Sequence, residues 1–82
     1  MSSFGDRVRK QWVDQSCTAL AKVTSVIHPD DCLRLGDMFG YSKSTMRTKL
    51  LYHGIGAWGS AEPLPDDVFR VLYDSRPKEL IG

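Results

Sequence analysis

The sequence has few of the features that would place it outside the ordinary globular class. Its longest uninterrupted apolar stretches are two or three residues, such as Leu50-Leu51-Tyr52, far short of the ~18 a membrane span needs. The N-terminus, Met-Ser-Ser-Phe-Gly-Asp-Arg, lacks the apolar core of a signal peptide, so a cytoplasmic protein is expected. There are only two cysteines, Cys17 and Cys32. With no CxxC and no HxxxH beside them they make no metal framework and read as reduced thiols used as small core hydrophobes. No nucleophile–base constellation and no phosphate loop is visible. The expectation is therefore no enzyme, no cofactor, no metal and no small-molecule ligand. Acids are missing from one long stretch: none occurs from Met38 to Ala61, where Lys43, Arg47 and Lys49 are basic.

What is present is a chain of 82 residues with 41% hydrophobic and 26% charged side chains and a net charge of +1. That is one domain, expected over 1–82. A domain this small buries only ~60% of the surface its unfolded chain exposes. The charge is unevenly spread. From Glu62 onward, Glu62, Asp66, Asp67, Asp74 and Glu79 outnumber Arg70, Arg76 and Lys78. A basic middle beside an acidic tail gives the molecule a positive side.

Apolar spacing predicts a long first helix over 4–27. Phe4, Val8 and Trp12 recur at i+4, and Val13, Cys17, Leu20, Val23 and Ile27 carry the pattern on. Ser3 or Asp6 can cap it. Its β-branched end, Val23-Thr24-Ser25-Val26-Ile27, is a poor helix, and 14–18 is a second place for a break. His28-Pro29 stops it and opens a second helix, about 30–39, with Asp30 and Asp31 at its positive end. Cys32 or Leu33, Leu35 and Met38-Phe39 supply the buried stripe. Gly40 ends that helix, Ser42 caps a third over 43–53, and Gly54 stops it. Residues 54–64 read as a Gly-rich flexible connector or a tight hairpin. Pro65-Asp66-Asp67 starts a fourth helix over 65–74. Residues 75–82 read as a frayed tail whose Leu80-Ile81 can dock on a core or a partner. The expected fold is an all-α domain of four or five helices containing a helix-turn-helix over 30–53.

That unit meets specific physical demands. Two helices crossing closely need a small residue at the crossing, Gly36, and a positive-φ turn residue, Gly40. Tyr41 plugs the space between them, while Met46 and Leu50 point inward. Ser42, Lys43, Ser44, Thr45, Arg47 and Thr48 are left outward, all able to hydrogen-bond or carry positive charge. Such a set is suited to base edges in the DNA major groove, with Arg7, Arg9, Lys10 and Lys49 available for phosphates.

The run Phe39-Gly40-Tyr41-Ser42-Lys43-Ser44-Thr45-Met46-Arg47 resembles the turn and recognition helix of the phage Cro and repressor class of helix-turn-helix regulators. Phe4-Gly5-Asp6-Arg7-Val8-Arg9 is similar to the basic first helix of that class, and Pro65 to Leu72 to the helix that packs after its recognition helix. The chain departs from the class in about 15 extra residues before the second helix, in Gly36 where alanine is usual, and in Lys49 where an apolar residue is usual. The resemblance implies a sequence-specific duplex-DNA-binding transcriptional regulator of phage or mobile-element type, acting by operator occupancy as a homodimer. The expected dimer surface is the first helix, whose two offset apolar rows exceed what one small core can cover. The alternative is a protein-binding inhibitor or adaptor that uses the same surface on a larger machine, which the near-zero net charge and acidic last third favour. Trp12 and Trp58 read as core or interface anchors, His28 as a turn residue and His53 as a helix-end residue.

Overall fold

A computed structural model of the chain describes residues 4–80. The order is α1 (Phe4–Ala21), β1 (Val26–Ile27), α2 (Pro29–Phe39), α3 (Lys43–Tyr52), β2 (Gly56–Ala57), α4 (Asp66–Asp74) and a 3-10 turn (Lys78–Leu80). The fold is all-α, with one two-stranded parallel pairing as its only sheet among the described residues. No helix among them is long and apolar enough to cross a membrane. Ser3 and Ile81, named above as a cap and a docking residue, lie outside the described residues.

α1 runs unbroken through 14–18 but stops at Ala21, six residues before the predicted end at Ile27. The amides of Val23 and Thr24 both donate to the Leu20 carbonyl, at 3.0 Å each, closing the last turn. The β-branched run that follows takes extended backbone, where its restricted χ1 costs least. Val26 and Ile27 then pair in parallel with Gly56 and Ala57. The connector is therefore neither a hairpin nor unstructured: Gly56 N donates to Ser25 O and Trp58 N to Ile27 O, each at 2.9 Å.

α2 begins on His28, whose Nδ1 accepts the Asp30 amide at 3.0 Å, so this histidine is the helix cap. Cys32, Leu35 and Phe39 are the buried stripe, whereas Leu33 is 44% exposed. Asp31 is more than a favourable charge at a helix start. It is 8% exposed, and its Oδ2 accepts the Leu64 amide at 2.8 Å, which ties the end of the connector to α2.

The core gathers α1, β1, α2, α3, the segment before β2 and α4 around Trp12, Val13, Ile27, Leu35, Met46, Leu50, Ile55 and Phe69. Trp12 meets the Phe39 ring edge-on at 4.7 Å and donates through Nε1 to the Leu72 carbonyl at 2.9 Å. It thus fastens α1 to both α2 and α4. Both apolar rows of α1 are covered within one chain: Val8, Trp12, Val13, Cys17 and Leu20 are all buried. The reason for a dimer through α1 falls with that finding, since only Phe4, 68% exposed, is left on the two rows. The tail is not frayed through Leu80, which packs on the core, with the 3-10 turn lying against α1.

Candidate nucleic-acid interface

The turn between α2 and α3 is set by two glycines. Gly40 sits at φ 85° and ψ 31°, a left-handed conformation that side-chain-bearing residues adopt at a cost. The Gly36 carbonyl accepts two amides, Gly40 N at 2.8 Å and Tyr41 N at 2.7 Å. A Cβ on Gly36 would lie 2.8 Å from the Tyr41 carbonyl and 3.4 Å from Met46 Cβ. The two helices therefore cross at a separation that only glycine at position 36 allows.

Ser42 starts α3. Its Oγ accepts the Thr45 amide at 3.3 Å and donates to Thr45 Oγ1 at 3.0 Å, and its carbonyl accepts the Met46 amide at 2.9 Å. Met46 and Leu50 are fully buried, which fixes the rotation of the helix. At about 100° per residue, that rotation aims Ser44, Thr48 and Tyr52 away from the core. Lys43 and Arg47 fall on one flank of this row, Thr45 and Lys49 on the other. Ser42, Lys43, Ser44, Thr45, Arg47 and Thr48 are all exposed. Among the described residues neither Lys43 nor Arg47 has an ion-pair partner. Ser42, Lys43, Ser44 and Arg47 line one shallow depression at the positive end of the helix, whose first turn holds no acid.

The phosphate candidates divide into two kinds. Arg7 and Lys10 are exposed on α1, whereas Arg9 and Lys49 are half-buried. Arg9 and Lys49 come from different helices to the same ring: Arg9 Cζ is 5.2 Å and Lys49 Nζ 4.9 Å from the centroid of Tyr41. Tyr41 itself is partly buried against the core, as a plug between helices should be. Arg7, Arg9, Lys10, Gln11, Tyr41 and Lys49 share an open groove of about 650 Å³ with Asp6 and Asp14. His53 Nε2 lies 4.0 Å from Asp14 Oδ1, closing the far end of the α1–α3 seam.

Two residues go unmarked by periodicity and motif, and a third, Asp31, is marked only as a helix-start charge. Tyr52, 88% exposed, and Leu51, 55% exposed, end the outward side of α3. The row Ser44, Thr48, Tyr52 at i, i+4, i+8 is the signal that could have found Tyr52. The Asp31 anchor has no such signal, because its partner is a backbone amide 33 residues away. Trp58 is 62% exposed and is not a core anchor. Both thiols are free and buried. Burial pushes Cys17 up to about 11, with Asp14 adding to the shift and Lys49 opposing it. Burial also raises Cys32, against the nearby charges of Lys43 and Arg47. Among the described residues no three His, Cys, Asp or Glu side chains gather in a way that could hold a metal.

Set against known proteins, the chain matches no family model, no curated protein and no solved structure.

Proposed function

We propose that α2, the Gly40 turn and α3 act as a helix-turn-helix, and that the protein is a small duplex-DNA-binding regulator. The observation that carries this reading is the outward face of α3. A hydroxyl row, Ser44 and Thr48, is exposed between cations on both flanks, Lys43 and Arg47 on one and Lys49 on the other. A helix in the major groove meets base edges along its middle and a phosphate backbone on each side. Seryl and threonyl hydroxyls suit the first and Lys or Arg the second. The reading implies cytosolic operation by operator occupancy. Two copies on a two-fold-symmetric site remain the natural arrangement, with a contact other than the α1 rows.

The test is a salt titration of binding to random-sequence duplex DNA. Phosphate contacts give a log affinity that falls steeply with log salt, by ~0.9 per phosphate neutralised. A steep slope that shrinks in the Lys43→Gln, Arg47→Gln double variant is expected. A flat slope, or no binding at low salt, refutes the reading. One observation favours a protein-binding module instead: Trp58 stands 62% exposed on the Gly-rich connector, as an interface aromatic does. In that case Trp58→Ala abolishes partner binding and the salt slope is absent.

A further inference from the structure

The meeting of Arg9 and Lys49 on Tyr41 needs its own explanation. Two cations from different helices lie within about 5 Å of one ring centroid, a distance at which each is attracted to the ring. Arg9 Nη2 reaches Asp6 Oδ1 only at 3.6 Å, longer than the 2.7–2.9 Å of a good charge-assisted hydrogen bond. Arg9 Nε is enclosed with no acceptor, so one edge of the guanidinium has lost water without gaining a partner. No ion pair of Lys49 is found among the described residues. Arg9 lines one groove with Arg7, Lys10, Gln11, Tyr41 and Lys49, four cations against the two carboxylates of Asp6 and Asp14.

We propose that Arg9 and Lys49, which both approach the Tyr41 ring and line the same groove, form a single two-cation site for one phosphodiester group, with Tyr41 as the residue that positions them. This rests on the duplex-DNA reading above and makes it more specific. The site lies on the flank of α3 opposite Lys43 and Arg47, where the second backbone of a major groove holding α3 would pass. A phosphodiester carries one charge and two open oxygens, one for the Arg9 fork and one for the Lys49 ammonium. A ring that fixes both cations beforehand removes the ordering cost that two free side chains would incur on binding. Both cations contact the ring of Tyr41, so the role falls to the ring and not to the hydroxyl.

The experiment compares salt slopes on random duplex for the wild type and for Arg9→Gln/Lys49→Gln, Tyr41→Leu and Tyr41→Phe. One shared phosphate predicts that the double variant loses ~0.9 of slope, half the loss of two independent contacts. Tyr41→Leu should lose the same amount and Tyr41→Phe nothing. A double-variant loss near twice that value, no loss, or an unchanged Tyr41→Leu overturns the proposal. Circular dichroism confirms that each variant is folded. If Tyr41→Leu is unfolded, the double variant and Tyr41→Phe decide the matter. If the wild type fails to bind duplex, the DNA reading falls and the site is read alone, by the Arg9 Nε–H resonance titrated with inorganic phosphate. A saturable shift in wild type and Tyr41→Phe, larger than that of Arg7 Nε–H, sustains the anion site. A shift no larger than that of Arg7 overturns it.

Discussion

Position 36 sets two opposed effects against each other. Alanine is the better helix former by ~1 kcal/mol, yet its Cβ would stand 2.8 Å from the Tyr41 carbonyl. A backbone oxygen cannot rotate aside, and overpacking of that kind costs about 1–3 kcal/mol. Gly36→Ala should therefore lower stability in a urea melt; a more stable variant would mean that the α2–α3 crossing is looser than described. Cys17 makes a pH prediction at the same scale. Burial raises its folded pKa from 9.0 to about 11. A raised pKa means that the unfolded chain loses this proton first. The stabilising contribution is complete below pH 9, shrinks as pH rises, and is gone above about 11. Cys17→Ala should flatten the fall in stability over that window, measured by melts at successive pH values. At pH 7 the native thiol should also resist alkylating reagents, because the thiolate is the reactive form.

Among the elements, the connector between α3 and α4 depends on one carboxylate. Asp31 lies at the start of α2 and holds the Leu64 amide, so Asp31→Ala leaves that partly buried donor without its acceptor, at about 1–3 kcal/mol. Hydrogen exchange should speed at Leu64 while Met46 and Leu50 in α3 stay protected. Uniform acceleration across the chain would show instead that the anchor is part of global stability. The end of α1 shows how local preference and packing divide the work. The β-branched residues after Ala21 disfavour helix, but what they form depends on Gly56 and Ala57 arriving alongside.

At the scale of the whole molecule, α1 packs both of its apolar rows, Phe4 apart, inside one chain and leaves its polar face exposed. Val8, 9% exposed, is therefore a core position, and Val8→Glu should unfold the domain by burying an unpaired charge. Loss of the thermal transition is the expected result. A folded variant with an altered sedimentation coefficient would restore Val8 to an interface between copies. The remaining large exposed hydrophobics, Val23, Tyr52, Trp58 and Val71 among them, are spread over several elements and form no row along α1.

The residues by themselves determined the helical fold, the glycine turn at 36–40, the Ser42 cap and the inward phase of Met46 and Leu50. Each of these follows from interactions within about four residues, where periodicity, capping and permitted φ angles act directly. Tertiary structure alone decided that both rows of α1 find partners in one chain, that Ile27 leaves the helix to pair with a connector some 30 residues away, that Asp31 reaches Leu64, and that Arg9 and Lys49 meet on Tyr41. Those outcomes depend on which distant segments are brought together, and a linear pattern of apolar and polar residues states which face must be covered without stating what covers it.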